Sequence, residues 1–254
     1  MRHFEGYNQA LRYHSYRPQV HKHVVQHIRS YLDLNQKVGR ALDIGCGTGH
    51  STAPLRQIAD HVMGLDASAG MVQVGKEYFP DIDFRIATAE KTGLADNTID
   101  LFTTSMAFHW FDQQQFLKEV YRVARKPAFL CVYFLWFPGE MSGNSAFQQW
   151  YQGPYLQKFP TPSRHSNKLF QLLEVNKLPI VYLGRRKLDF DLSLSLEDVK
   201  GYLSTQSNIT SALKKGESLS KVNTWLGLQL KPFFSKQVET FSYRGLCEFA
   251  RLDP

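Results

Sequence analysis

The chain predicts an α/β fold, a mostly parallel sheet covered by helices on both faces. Three observations carry this. Apolar runs of strand length alternate with helical patterns from residue 40 to residue 136. The run Ala41-Leu42-Asp43-Ile44 passes into Gly45-Cys46-Gly47-Thr48-Gly49, with three glycines at alternate positions in a strand-to-helix turn. A second acid, Asp66, ends the next apolar run about 20 residues on, the separation at which a carboxylate reaches a ribose hydroxyl in nucleotide-binding βαβ units.

The elements follow in order. Val20, Val24, Val25, Ile28, Tyr31 and Leu32 recur at helical spacing behind Pro18 and predict a helix over 19–34. Residues 40–44 read as a buried strand and 51–59 as a helix with Pro54 in its first turn. Strand 61–65 leads to helix 68–78, capped by Ser68 and weakened by Gly70 and Gly75, and then to strand 82–87. Residues 98–105 form the fourth strand. Asp112 caps a helix whose apolar face is Phe116, Leu117, Val120, Val123 and Ala124, and 129–136 is a fully buried fifth strand. At Pro138 the rhythm breaks, and the stretch to Pro179 reads as a cap or insertion rich in Gly, Pro, Gln, Ser and aromatic residues. A strand over 180–194, mostly helix over 196–213, a helix over 218–230 and a strand over 238–250 complete the chain. The reading is one domain, 1–254, with a cofactor-binding core at 36–137, a cap at 138–180 and a C-terminal part from 181 to 254 that completes the sheet.

Composition narrows the function classes. At 43% hydrophobic residues the chain can fill a core. Its net charge of +7 is spread out, with no Lys/Arg-rich tract beyond the short Arg185-Arg186-Lys187 cluster. That disfavours nucleic acid and fits a small anionic substrate equally well. Three widely spaced cysteines, Cys46, Cys131 and Cys247, and a polar start predict reduced thiols and a cytoplasmic setting. The longest apolar run, 128–137, is too short for a bilayer, so no membrane is expected as a partner. His21, His23 and His27 do not predict a metal, because only His23 and His27 share a helix face and no Cys or carboxylate adjoins them.

The glycine loop admits two ligands, a pyrophosphate or the amino-acid end of S-adenosyl-L-methionine. Dinucleotide sites place the third glycine one residue later than it stands here. Asp43, two residues before the first glycine, would repel a phosphate and suits a cationic amine. The sulfonium cofactor is therefore favoured. Asp43 and the loop residues Gly45, Cys46, Gly47 and Gly49 are expected at its methionine end, with Asp66 and Ala67 at the ribose. Met71 is expected along the adenine face, Ala89 and Glu90 at the adenine edge, and Ser105 where a strand-end carbonyl meets the ammonium group. His109 is the candidate catalytic residue, as a base toward a hydroxyl or a cation toward a carboxylate, the other reading being that His109-Trp110-Phe111 packs against the cofactor and positions the loop. Trp110, Tyr133 and Trp136 are expected to line the acceptor pocket, with core packing the alternative for Tyr133.

These motifs resemble those of class I S-adenosylmethionine-dependent methyltransferases, in the small-molecule branch that includes trans-aconitate methyltransferases. The resemblance rests on Tyr13-x-x-Tyr16-Arg17-Pro18, Leu42 to Gly49, Gly64-Leu65-Asp66-Ala67-Ser68, Ala89-Glu90 and Ala107-Phe108-His109-Trp110-Phe111. It continues in Leu194 to Asp198 and Gly201-Tyr202-Leu203. It implies a Rossmann-like sheet of about seven strands with the last one antiparallel, with Tyr13 and Arg17 folded over the cofactor. It also implies methyl transfer to a small acceptor at a carboxylate or hydroxyl oxygen. Where a Lys-Pro-Gly-Gly turn is usual, this chain has Lys126-Pro127-Ala128-Phe129, a change remote from the reacting centre. The alternatives are an acceptor on a carrier protein, an RNA acceptor, or a non-catalytic protein that keeps the cofactor pocket.

Overall fold

The computed structural model describes residues 6–162, 169–175 and 177–254. Its sheet contains β1 (Val38–Ile44), β2 (Ala59–Asp66), β3 (Asp83–Ile86), β4 (Ile99–Ser105), β5 (Ala124–Trp136), β6 (Ile180–Leu194) and β7 (Glu239–Leu252). The seven strands lie in the order β3-β2-β1-β4-β5-β7-β6. The first five pair in parallel, and β7 runs antiparallel between β5 and β6. The strand order reverses between β1 and β4, so the crevice beyond their carboxyl ends is where an open α/β sheet takes its ligand.

Side chains alternate across a strand, and here that alternation feeds two cores. Ala41, Leu101 and Cys131 face one layer, where they meet Val24, Val25 and Ile28 of α2 (His21–Tyr31). The same layer takes Leu203 of α8 (Leu196–Ser204) and Leu226 of α10 (Leu219–Leu230). Leu42, Phe102 and Leu130 face the other layer and pack on Phe116, Leu117 and Val120 of α4 (Gln113–Val123). The helices on both faces follow from strands that are apolar at consecutive positions.

Two expected elements differ. The helix expected over 51–59 is a single 3-10 turn, Ala53–Gln57, and β2 already starts at Ala59. Its amides bond three residues back, from Leu55 to Thr52 and from Ile58 to Leu55, and Pro54 has no N–H to extend the pattern. The helix expected over 196–213 is split at Thr205 and Gln206 into α8 and α9 (Ser207–Lys214). The cap region contains α5 (Ser145–Trp150), a π-helical turn at Tyr151–Tyr155, α6 (Leu156–Lys158) and α7 (Leu169–Val175). Positions 163–168 and 176 of the expected cap lie outside the described residues.

An N-terminal helix, α1 (Tyr7–Tyr16), was absent from the sequence-based pattern, and it closes over α3 (Ala69–Tyr78) and α8. Two glycines allow this close approach. A Cβ on Gly70 would stand 2.8 Å from the Gly6 backbone, and one on Gly201 would stand 2.0 Å from the Tyr16 ring. Gly70, which weakens α3 as a helix, thus helps to give α1 its seat. At the opposite rim, β6 is an edge strand with Arg185, Arg186 and Lys187 exposed in succession. Among the described residues no helix is long and apolar enough to cross a membrane, and no His, Cys, Asp or Glu cluster is placed to hold a metal.

Candidate functional site

The glycine loop leaves β1 with Gly45, Gly47 and Gly49 at φ of 73, 54 and 88°, a region that side chains with a Cβ rarely enter. Space is also restricted, since a Cβ on Gly45 would lie 2.4 Å from that of Ala107. Two acids hold the loop in different ways. Asp66, at the end of β2, accepts from the Gly47 N–H and the Ser68 N–H, both at 2.8 Å. It is half-buried, and burial pushes its carboxyl up from the ordinary carboxylate range. Asp43 is fully buried within β1. One of its oxygens accepts from Ser51 at 2.6 Å and Thr52 at 2.8 Å, and the other from Thr103 of the neighbouring strand at 2.9 Å. Burial lifts its carboxyl to about 6, against the pull of those three hydroxyls.

A cavity of about 320 Å³ opens beyond the loop. Gly45, Gly47, Asp66 and Ala67 form its floor, Met71 one wall, and Ala89, Glu90 and Ser105 the far side, with Tyr13 reaching in from α1. Glu90 spends one carboxylate oxygen on the Asp112 N–H at 2.9 Å, which ties the cavity rim to the start of α4. Two carboxylates and no Lys or Arg line this space, while Met71, Ala87, Ala89 and Phe111 give it apolar faces. Such a lining suits a cationic ligand with hydroxyls and a flat ring, and repels a pyrophosphate.

A second cavity of about 220 Å³ adjoins the first, and Tyr13, Met106 and Trp110 line both. Arg17, His109 and Trp136 belong to the second alone. His109 is 2% exposed and its ring lies 4.4 Å from that of Trp110. Met106 ends β4 with φ at 54°, an outlier for a residue bearing a side chain. The wall between the cavities is therefore built on strained backbone.

Residues 42–132 match a family described as a methyltransferase domain. A Dictyostelium discoideum protein provisionally named a methyltransferase is 28% identical over 211 residues, covering 80% of this chain and 77% of that protein. An uncharacterized methyltransferase of Schizosaccharomyces pombe is 30% identical over 116 residues, and the chain spans 45% of its length. A solved structure of a provisionally named type II methyltransferase from Anaeromyxobacter dehalogenans aligns at a TM-score of 0.68 with 21% identity, over 91% of this chain and 97% of that one. The protein is an S-adenosylmethionine-dependent methyltransferase with the class I fold.

In this methyltransferase several expected site residues stand elsewhere. Asp43 is not among the residues that line either cavity; its carboxylate accepts from three hydroxyls, two of them on the chain just after the glycine loop, and so braces that loop. Cys46 is buried against Val72 and Phe84, and Gly49 sits at the turn's far end; neither lines a cavity. Tyr133 is 1% exposed, with its hydroxyl 3.0 Å from His21 Nδ1, and is core, not pocket wall. Arg17 lines the second cavity, not the one expected to hold the cofactor.

Sequence reasoning gave Ser68 and Ala107 no place in the first cavity and missed the α8–α9 junction in the second, where Tyr202, Gln206, Ser207 and Asn208 converge. Tyr202 stood within a motif of the resemblance, but nothing in the pattern placed it beside Arg17. Of the expected cap, Tyr151 and Thr161 reach the second cavity. Packing around the loop leads to a direct test. In Gly49→Ala, a Cβ would lie 2.6 Å from the Phe84 ring at a φ of +88°. We expect a loss of about 1–3 kcal/mol. Thermal denaturation reads this directly, and an unchanged Tm would show that the turn tolerates a side chain.

Proposed function

We propose that this methyltransferase binds S-adenosylmethionine in the 320 Å³ cavity and methylates a small acceptor held in the 220 Å³ cavity, at a carboxylate or hydroxyl oxygen. The observation that carries this is the shared wall of Tyr13, Met106 and Trp110, which puts two chemically different cavities side by side. Residues 36–137 act as the cofactor-holding core, and the cap and C-terminal part supply acceptor walls.

The bound cofactor supplies an activated methyl group on a cationic sulfur. The chain's own task is alignment. Asp66 would offer its carboxylate to the ribose, the glycines would let the ligand approach the loop backbone closely, and Met71 and Ala89 would flank the base. Tyr13 closes the cavity and sheds water. Bound there, the cofactor would supply the methyl and keep the electron pair on its sulfur, and the walls of the second cavity would hold the acceptor oxygen toward the first. A carboxylate loses no proton in this step. A hydroxyl must lose one, and His109 is the base placed on the acceptor side. The resemblance to the branch containing trans-aconitate methyltransferases supports an oxygen acceptor.

The test uses methyl-labelled cofactor with a panel of carboxylic acids, phenols, amines and acyl-carrier substrates. Label is expected in ester or ether products. Label found only on nitrogen or carbon, or in no product, would overturn the oxygen assignment.

A further inference from the structure

Arg17 ends α1 and is half-buried, with its Nε shielded from solvent and without an acceptor. One guanidinium N–H donates to the Thr205 carbonyl at 3.0 Å. The rings of Tyr13 and Tyr202 lie 4.6 and 5.2 Å from its Cζ. Surface arginines such as Arg122 and Arg125 hold carboxylates. Arg17, much less hydrated, has no carboxylate within ion-pair distance among the described residues. A cation taken from water without a counter-charge is costly, and aromatic faces and one carbonyl offset only part of that. The fold maintains this cost at the edge of an open cavity.

We propose that Arg17 is the anion anchor of the second cavity and selects small monocarboxylic acids with a flat apolar body. The proposal rests on reading that cavity as the acceptor site. A guanidinium presents paired donors that match a carboxylate's two oxygens. One fixed cation balances one negative charge, so a phosphate or a polyacid would enter with charge left over. Trp110, Trp136, Phe137 and Tyr202 give the cavity flat apolar faces for a planar body, while Gln206, Ser207 and Asn208 leave one part of the wall polar. A cavity of about 220 Å³ lies between the roughly 150 Å³ that encloses benzene and the roughly 300 Å³ at which drug-sized pockets begin. The guest is therefore an acid of about one ring, or a short chain of equal bulk. Arg17 is tied to the α8–α9 junction through Thr205, so the anchor is held on two elements.

Binding is measured by calorimetry on the full chain saturated with S-adenosylhomocysteine, with benzoate and trans-cinnamate against benzamide and cinnamamide. The acids are expected to bind at least about tenfold more tightly than their amides. Arg17→Met should abolish that preference and weaken the acids about thirtyfold while leaving the amides unchanged. Arg17→Lys, which keeps charge but loses the fork, should fall between the two. S-adenosylhomocysteine affinity, measured on each variant, should stay within about twofold of the parent, which also shows that the variants fold. Equal affinity for acid and amide in the parent, or an unaltered preference in Arg17→Met, would overturn the proposal. Loss of cofactor affinity in Arg17→Met with Tm retained would also overturn it, because Arg17 would then serve the cofactor's own carboxylate. Arg17-dependent acid binding without methyl transfer would support the anchor and sink the reading of the cavity as an acceptor site.

Discussion

Asp66→Ala is expected to weaken S-adenosylhomocysteine binding by about a hundredfold or more. The Asp66 carboxylate has two tasks. It takes the N–H groups of Gly47 and Ser68, which pins the glycine loop to the start of α3. It also lines the first cavity, where the proposed cofactor site would use its remaining lone pairs. Charge-assisted hydrogen bonds contribute roughly 1.5–3 kcal/mol each, so losing two toward a ribose alone costs about 3 kcal/mol. Loosening of the loop adds to this. Asp66→Asn keeps the shape but offers one acceptor oxygen in place of two, and should fall between parent and alanine. Calorimetry decides the matter, and unchanged affinity in Asp66→Ala would take the residue out of the site.

The largest effect on stability is expected at Asp43. Asp43→Ala leaves the hydroxyls of Ser51, Thr52 and Thr103 without their acceptor in a fully buried layer. Each such donor costs about 1–3 kcal/mol, and relief of the buried charge returns part of the total. A net loss of about 3 kcal/mol is expected, which for a chain of this size lowers Tm by roughly 6–12 °C. The pH dependence gives a second reading. The folded carboxyl titrates at about 6, above its ordinary value of 3.8. Between these values the folded state holds more protons than the unfolded one, so this group's contribution to stability falls as pH rises through that window. Stability of the parent relative to Asp43→Asn should therefore increase, by on the order of 1 kcal/mol, as pH is lowered from about 7.5 to 5. His14 and His21, held by burial near 4 and 3, work in the opposite sense, since their contribution is present above the imidazole's ordinary 6.5 and lost on acidification. They act alike in both proteins and cancel in the difference. A difference that is flat with pH would mean that the three hydroxyls, not burial, set the acidity of Asp43.

How much of this was legible in the sequence depends on which interactions are local. Asp66 was readable because a strand-end acid and a glycine loop recur at a fixed separation along one βαβ unit. Met71, Ala89, Glu90 and Ser105 could be placed at the first cavity for the same reason, each ending or following a strand whose carboxyl end opens on the crevice. Asp43 was not readable as lying outside both cavities, because its side-chain direction depends on strand pairing. It shares a face with Ala41, and its partner in register is Thr103, about 60 positions away. Tyr133 shares its face with Cys131, toward the layer filled by α2, whereas Trp136 ends the strand and is exposed. The acceptor side resisted reading because Arg17 and Tyr202 meet only after α1 docks on α8. Gly201 permits that contact, and nothing in its neighbourhood announces it.

The outer rim of the sheet has a consequence of its own. A fifteen-residue strand left open on one side offers a ladder of amides and carbonyls to any other chain. Three consecutive cations stand on that ladder, with Arg186 laid across the Tyr31 ring 4.6 Å away. Two copies pairing rim to rim in parallel register would bring these like charges together. The short basic cluster that invites thoughts of nucleic acid thus lies where charge opposes such pairing of an open edge.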